Sequence, residues 1–350
     1  MATTSKSPLS VLRVAWEVAQ AALPAFSHRN SPKKFTQHQL FACLVLKKFL
    51  KTDYRGVVAQ LHDEPALRDA IALECVPHFT TLQKAADRLL LKPTARRLLD
   101  ATVRSHLGRR RRVPLAAIDS TGMECTAASA YFVRRRASVS GPWKSMAYHR
   151  FPKLSVICDV DSHFILAFET SRGPRPDVAD LQPLLDDALR RVRVATLVAD
   201  AGYDSEPNHR HARLSRGVRT IIPAKHGRPS DKPARGHYRR LMQVRFDADA
   251  YRRRAQVETV VSMIKRRQGA HVLALSTHRQ HRELRLTALA HNIMILLHIW
   301  VFYRASQSPY STACQIAAQL QVRNLQIVAK YSRDRGAQPG RIKGWPEAAR

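Results

Sequence analysis

The spacing of apolar residues changes from helical to strand-like near residue 110, and this change restricts the folds open to the chain. Residues 9–107 carry apolar side chains at helical spacing, in short segments separated by polar turns. From residue 113 onward the pattern predicts a strand, a hairpin, a helix, a strand, a helix, a strand and a helix. This order is typical of a sheet covered by helices. We therefore predict an α/β fold, a mixed sheet flanked by helices, preceded by an all-helical N-terminal domain.

Five apolar runs supply the predicted strands. They are residues 115–118, 154–158, 164–168, 195–199 and 219–223. The second and third runs flank the polar turn Asp159–His163, which is typical of a hairpin. Asp177 is predicted to cap the helix that follows this hairpin, because an acid at that position can accept free backbone N–H groups.

The charge of the chain indicates a polyanionic partner. It has 59 Lys and Arg residues against 27 Asp and Glu residues, so the net charge is 59 − 27 = +32. Because 45% of the residues are hydrophobic, the chain can bury a core, which excludes a disordered basic tail. No helix with an entirely basic face stands out, so nucleic acid is favoured over a lipid surface.

Neither a membrane span nor a cysteine framework is indicated. The longest apolar segment, residues 286–302, contains His291, Asn292 and His298, and is predicted to be a buried core helix. The five cysteines are an odd number, widely scattered and without a C-x-x-C pair, which argues against disulfides and a zinc site. This cysteine usage favours a cytoplasmic location.

Two acids follow predicted strands. Asp119 comes after residues 115–118, and Asp200 comes after the run that ends at Ala199. The carboxyl ends of strands are where α/β sheets place ligands. A carboxylate there costs several kcal/mol unless it is paired or bound to a cation. The sequence leaves both readings open, a structural pair with Arg and a cation site.

A third acid belongs to a polar stripe. Tyr251, Arg254, Glu258 and Lys265 stand at i, i+3, i+7 and i+14, so on one continuous helix they project within a sector of roughly 60°. The simpler alternative is an ordinary salt bridge between Arg254 and Glu258, which are four residues apart. That alternative does not explain why the stripe occurs together with two acids at strand ends.

Carboxylates from two strands and a helix would form a site rich in hard oxygen ligands. Such a site suits Mg²⁺ or Mn²⁺ and does not suit zinc. Two ions about 3.5 to 4 Å apart can stabilise the attacking and leaving oxygens of a phosphoryl displacement. The phosphodiester attracted by the positive surface would then be the substrate.

The stripe resembles a signature of a known family. Its residues match the Y-x2-R-x3-E-x6-K motif of bacterial insertion-sequence DDE transposases, of insertion-sequence families 4 and 5. Residues 117–122 and 199–205 resemble the motifs of that group around its two Asp residues. Asp177, which precedes the Pro183-Leu184-Leu185 segment, is also similar to a residue of that group. The resemblance extends over residues 35–300.

The resemblance implies a fold and a set of roles. It implies an RNase H-like core with Asp119, Asp200 and Glu258 as catalytic residues that hold two Mg²⁺ ions. Tyr251, Arg254 and Lys265 would bind DNA and position the phosphates at the transposon end. The partner of the whole protein would be double-stranded DNA, both the element ends and the target. An activated water would cleave one strand, and the released 3′-OH would attack the target. A homodimer in the DNA complex is expected from the family alone.

The domain boundaries and the alternatives complete the prediction. We expect a helical DNA-binding or dimerisation domain at 1–107, the RNase H-like catalytic domain at 113–305 and a C-terminal helix with a basic tail at 306–350. One alternative is an RNase H-like nuclease without strand transfer. The other is a catalytically silent DNA-binding derivative. The three acids and the stripe, all present, favour an active transposase.

Overall fold

The structure is a computed structural model that describes residues 7–108, 111–125, 151–224 and 234–307, with side chains up to residue 297. The described residues up to His298 belong to one compact unit. The predicted C-terminal helix and tail, residues 306–350, lies outside the described residues beyond Gln307.

Six helices form the N-terminal region. They are α1 Pro8–Ala22, α2 Gln37–Phe49, α3 Tyr54–Asp63, α4 Pro65–Asp69, α5 Phe79–Leu89 and α6 Lys92–Leu107. Helix α2 begins with a capping box in which the Thr36 hydroxyl accepts the Gln39 N–H and the Gln39 side chain accepts the Thr36 N–H. Helix α1 packs against α2 and α6, and α2 packs against α5. The predicted helical N-terminal region is confirmed.

Seven strands follow in the described residues, and they form two sheets. The strands are β1 Arg112–Gly122, β2 Glu124–Cys125, β3 Phe151–Asp159, β4 Ile165–Gly173, β5 Arg193–Val198, β6 Arg219–Ile221 and β7 His271–Val272. The main sheet has the order β4-β3-β1-β5-β6, and β2 pairs with β7. Each of the five predicted strands is found in the main sheet, with bounds that differ by a few residues.

The main sheet is mixed. Strand β3 runs antiparallel to both β1 and β4, whereas β5 runs parallel to β1 and β6. The carboxyl ends of β1, β5 and β6 therefore lie toward the same edge of the sheet. Turn residues 160–164 join β3 to β4 as the predicted hairpin.

Six more α-helices lie between and after these strands in the described residues. They are α7 Leu181–Leu189, α8 Glu206–Arg210, α9 His237–Val244, α10 Ala248–Arg252, α11 Ala255–Gln268 and α12 Thr277–Gln307. Helix α7 packs against β3 and β4, and α11 packs against β1 and β3. The N-terminal region joins the same core, because α6 also packs against β4. The predicted mixed α/β fold with flanking helices is confirmed.

Helix α12 supplies a buried wall of the core. Every side chain from Leu286 to Leu297 is buried, as expected for a core helix. In the part of the chain that the structure describes, no helix combines the length and the apolar character needed to cross a membrane. Asn292, 0% exposed, lies on this helix and binds the edge strand of the sheet. Its side chain accepts the Ile165 N–H at 2.9 Å and donates to the Ile165 carbonyl at 2.8 Å and to the Thr102 hydroxyl at 3.2 Å.

Asn292→Leu is expected to lower the free energy of unfolding by about 2–4 kcal/mol. The substitution leaves the N–H and the carbonyl of Ile165 buried without their partner, and each unmet group costs about 1–3 kcal/mol. Urea unfolding monitored by circular dichroism measures the loss. Thr102→Val is the control, because it removes only one of the three hydrogen bonds and should cost about 1 kcal/mol. Equal losses for the two variants would contradict this account of Asn292.

Candidate active site

Asp119 lies inside strand β1 rather than at its end. The strand continues for three residues beyond it to Gly122. The prediction that Asp119 ends its strand is therefore wrong, and the reason is that β1 has two different partners. Parallel pairing with β5 stops at Ala117 opposite Val198, whereas antiparallel pairing with β3 continues to Gly122 opposite Lys153. Asp119 thus stands where the parallel part of the sheet ends.

Asp200 stands level with Asp119. It lies two residues beyond Val198, as Asp119 lies two residues beyond Ala117, the last pair of the parallel ladder. Oδ1 of each carboxylate accepts a backbone N–H, that of Ser120 at 2.7 Å for Asp119 and that of Gly202 at 2.9 Å for Asp200. Within the described residues, the Oδ2 atoms of these two side chains make no hydrogen bond. Each acid is therefore oriented by its own loop and keeps one oxygen available to a cation.

The charge state of Asp119 reflects this crowding. The pKa of its carboxyl is raised to about 6, mainly by burial and also by the negative charges of Asp200 and Asp177. The Ser120 N–H and the Arg254 guanidinium act in the opposite direction. Asp119 thus interacts electrostatically with two other carboxylates, Asp177 and Asp200, and with the guanidinium of Arg254.

Asp177 is the acid whose role the sequence did not predict correctly. Its side chain caps no helix; instead its Oδ1 accepts the Ser120 hydroxyl at 2.6 Å and pairs with the Lys153 ammonium. A Cβ built on Gly202 would lie 3.0 Å from Oδ1 of Asp200 and 3.5 Å from Oδ2 of Asp177, so both carboxylates border that glycine. The buried Lys153 cation and the Ser120 hydroxyl, both on the central strands, attract Asp177 away from the helix start.

Two further side chains in this cluster, Lys153 and Tyr203, were not predicted from the sequence. Lys153 has a side chain only 5% exposed, and its ammonium lies 3.5 Å from Asp180 as well as beside Asp177. Tyr203 is fully buried. Burial and the charges of Asp177, Asp119 and Asp200 raise the pKa of its hydroxyl, which therefore stays protonated. Lys153 stands in a mostly apolar strand, and this placement is the sequence signal that could have revealed it.

Contacts with α9 hold the segment after Asp200 in place. Asp204, whose side chain is fully buried, pairs with the Arg239 guanidinium at 2.7 Å. The Glu206 carboxylate accepts the N–H groups of Tyr238 and Arg239 in the first turn of α9. Because both acids follow Asp200 closely in sequence, these contacts restrict the loop that carries Asp200.

Glu258 reaches the cluster through Arg254. The Arg254 guanidinium donates to Oε1 of Glu258 at 2.5 Å and interacts electrostatically with Asp119. Its centre lies 5.9 Å from the centre of the Tyr251 ring. The salt bridge that the sequence left as an alternative is therefore formed. Glu258 itself is largely in solvent, with a side chain 57% exposed.

The stripe does not lie on one continuous helix, and that prediction is wrong. Tyr251 belongs to α10, Arg254 precedes the first residue of α11, and Glu258 and Lys265 lie within α11. Contacts with the β3–β4 turn fix the break, because Arg253 pairs with Asp161 and Gln256 binds His163 at 2.7 Å. Lys265 lies seven residues beyond Glu258, which is about 10 Å along the helix axis. Tyr251, Arg254 and Glu258 are thus neighbours, and Lys265 stands apart.

The carboxylate oxygens of the candidate site suit a hard divalent cation, but the three carboxylates are not close enough together to bind one. Asp119, Asp200 and Glu258 offer only carboxylate oxygens, the ligands that Mg²⁺ and Mn²⁺ prefer. In the described ranges, no three His, Cys, Asp or Glu side chains are grouped closely enough to hold an ion. Repulsion between Asp119 and Asp200 and the pairing of Glu258 with Arg254 account for this open arrangement.

The raised pKa of Asp119 makes stability depend on pH. Its carboxyl titrates at about 6 in the folded protein against 3.8 in the reference state, so folding favours the protonated form. Its contribution is present below about pH 4 and is lost as the pH rises to about 6. After allowance for its partial exposure, we expect Asp119→Asn to be about 1–2 kcal/mol more stable than the wild type at pH 7, and nearly equal to it at pH 4. Unfolding at the two pH values measures this, with exposed Asp63→Asn as the control. A difference that is the same at both pH values would contradict the argument.

The chain is similar to known proteins in sequence and in fold. Residues 112–293, more than half of the chain, match the family model described as transposase DDE domain. Among solved structures, the cryo-EM structure of a piggyBac transposase synaptic complex with hairpin DNA is similar, with a TM-score of 0.37 and 10% sequence identity. The similarity covers 87% of this chain and 83% of that chain. No curated protein matches the sequence. Because the family match runs from β1 into α12 and includes Asp119, Asp200 and the stripe, the chain belongs to the transposase DDE domain family.

Proposed function

We propose that this transposase cleaves one DNA strand at the ends of an insertion sequence and joins the released 3′-OH to target DNA. The observation that carries the proposal is the position of Asp119 and Asp200, level with each other where the parallel part of the sheet ends, beside the Arg254–Glu258 pair. Family membership supports the same chemistry. The catalytic domain is proposed to be residues 113–305, and residues 1–107 the DNA-binding or dimerisation domain.

Asp119, Asp200 and Glu258 are proposed to be the catalytic residues and to hold two Mg²⁺ or Mn²⁺ ions. Bound ions of this kind would supply activation of water and stabilisation of charge on the phosphate. Asp119 and Asp200 can each offer the Oδ2 atom that makes no hydrogen bond in the described residues. Glu258 must exchange Arg254 for a cation, and its exposed carboxylate can do so without breaking a buried contact.

The exchange gives Arg254 a second role. Once released from Glu258, its guanidinium is free to bind a DNA phosphate close to Asp119. Tyr251 holds the arginine from its ring side, at 5.9 Å between centres. Lys265 is proposed to contact a phosphate farther along the strand, because it stands about 10 Å from Glu258 along α11. These residues would bind and orient DNA rather than react.

The side chains around Asp119 and Asp200 would keep these two acids in position. Lys153 and the Ser120 hydroxyl hold Asp177, which borders Gly202 together with Asp200. Tyr203 stays protonated because burial and these carboxylates raise its pKa, so it adds no further negative charge to the cluster. Double-stranded DNA, both element end and target, is the proposed partner, and a homodimer is proposed to hold two ends together.

An in vitro reaction tests the proposal. Purified protein is incubated with Mg²⁺ and a plasmid that carries the short inverted repeats flanking its own coding sequence, together with a second plasmid as target. We expect nicks at the repeat ends and joined products that contain target DNA, and none with EDTA. Cleavage without joined products would favour the nuclease alternative. Binding without cleavage would favour the silent DNA-binding derivative.

A further inference from the structure

The edge of the main sheet opposite the carboxylates carries a group of exposed arginines. Strands β1 and β5 begin there, with Arg112 and Arg193 paired in register. Arg104 lies in the last turn of α6, and Arg190 directly follows α7. We call the exposed arginines that meet here the arginine surface: Arg104, Arg111, Arg112, Arg190 and Arg193.

Acids near this surface are already neutralised by other arginines. Arg191, whose side chain is 5% exposed, pairs with Asp100 and, at 2.8 Å, with Asp187. Arg96 also pairs with Asp187, at 3.2 Å. Over the described ranges, none of the five surface arginines forms an ion pair with a protein carboxylate. The positive charge of the surface is therefore not compensated within this part of the protein.

The shape and chemistry of the arginine surface suit a chain of phosphates. Arg104, Arg111 and Arg190 line one hollow, and an adjoining hollow is lined by Arg111, Arg112, Arg190 and Arg193. A guanidinium offers a planar pair of donors to a phosphate and gives up its hydration more easily than an ammonium. Neighbouring guanidinium groups repel one another. A polyanion that binds between them reduces this repulsion, and its binding is favoured for that reason.

We propose that the arginine surface binds the phosphodiester backbone of duplex DNA outside the active site. The inference rests on the proposed function in one respect, that the same DNA also reaches the carboxylates. From Arg112 to Asp119 the strand advances seven residues, or about 23 Å. At 3.4 Å per base pair, a duplex held at the carboxylates must extend by about seven base pairs to reach the arginine surface. The surface thus contacts flanking duplex and not the reacting phosphate.

The competing explanation is structural. Arg104 and Arg190 lie at the carboxyl ends of α6 and α7, where a cation interacts favourably with the helix dipole. That role requires no DNA. It predicts that loss of these charges lowers the melting temperature and leaves DNA affinity unchanged.

The experiment compares two triple variants of the full chain. The test variant is Arg104→Gln, Arg111→Gln and Arg190→Gln. The control is Arg210→Gln, Arg240→Gln and Arg245→Gln, which removes the same charge from exposed arginines that lie outside the helical N-terminal region, the arginine surface and the stripe. Binding of fluorescent duplexes of about 10 and 30 base pairs, centred on the element end, is measured by anisotropy at several salt concentrations.

For the longer duplex, we expect the test variant to bind about 10- to 100-fold more weakly and the salt slope of log K to fall by about two to three, since each lost phosphate contact accounts for about 0.9. The short duplex should bind the test variant and the wild type alike, and the control should change the long duplex far less. A lower melting temperature with an unchanged slope, or equal effects in both triple variants, would overturn the proposal. Tighter binding of an RNA duplex of the same length would overturn the assignment to DNA.

The same measurements separate this proposal from the proposed function. If wild-type protein binds long duplex through the arginine surface but cleaves no DNA with Mg²⁺, the proposed catalysis fails and the surface stands. If the test variant cleaves and binds as the wild type does, the surface fails and the catalysis stands.

Discussion

Asp119→Asn or Glu258→Gln is expected to reduce strand cleavage by at least about 10³-fold while DNA affinity stays equal or rises slightly. Each change removes a carboxylate proposed to hold a cation whose stabilisation of charge amounts to several kcal/mol, and each 1.36 kcal/mol is a factor of ten in rate. Each also removes a negative charge from the place where a phosphate must bind. Cleavage of a labelled element-end duplex and its binding at fixed salt measure the two effects separately.

Matched controls come from exposed acids in the helical N-terminal region. Asp63→Asn, at the end of α3, and Glu64→Gln, which follows it, make the same chemical changes on the surface. Both should cleave as the wild type does. A variant of Asp119 or Glu258 that cleaves at the wild-type rate would remove that acid from the proposed set of ligands. Thermal melts with and without Mg²⁺ give a readout independent of catalysis, because a bound ion stabilises only the protein that retains its ligands.

Arg254→Ala is expected to reduce cleavage by about 10²-fold and the salt slope of DNA binding by up to about one. The guanidinium lies between Glu258 and Asp119, and removing one such group next to a reacting phosphate costs rate on the scale known for other charge-stabilising donors. The melting temperature should hardly change, because a half-exposed helical salt bridge contributes about 0.3 to 0.5 kcal/mol. Arg254→Lys should restore little, since the bidentate donor pair is lost.

Lys265→Ala and Tyr251→Phe extend the same test along the stripe. Lys265→Ala should reduce the salt slope by up to about one with no loss of stability, because its ammonium is proposed to contact a phosphate. Tyr251→Phe should be milder, since the ring beside Arg254 remains and only a hydroxyl is lost. If Arg254→Ala and Lys265→Ala lower the melting temperature but leave the salt dependence of DNA binding as in the wild type, the stripe has only a structural role.

The sequence predicted those features that depend on local spacing. The period of apolar residues identified the helical N-terminal region, the five strands of the main sheet and the β3–β4 hairpin. It identified helix α12 as core, although only the structure shows that Asn292 is tolerated there because the Ile165 peptide groups bind it. Asp200 lies two residues beyond β5, whose last residues Leu197 and Val198 are buried and apolar, so its position could be predicted from the sequence.

Features that depend on a partner far along the chain were decided only by the tertiary structure. Strand β1 runs past Asp119 because β3 pairs with it where β5 does not, and the apolar run of β1 alone carries no information about either partner. The polar stripe breaks before α11 because the β3–β4 turn binds Arg253 and Gln256.

The clustering of charges has the same origin. Asp177 joins the candidate site through Lys153 and Ser120, residues 24 and 57 positions away in sequence, which no linear motif connects. The arginine surface is assembled from the ends of two helices and the starts of two strands, so its arginines are neighbours only in the folded chain. Sequence periodicity reports the environment of each segment, because burial repeats with the helix or strand period. It does not report which segments meet, because that is decided by pairing and packing between residues distant in the chain.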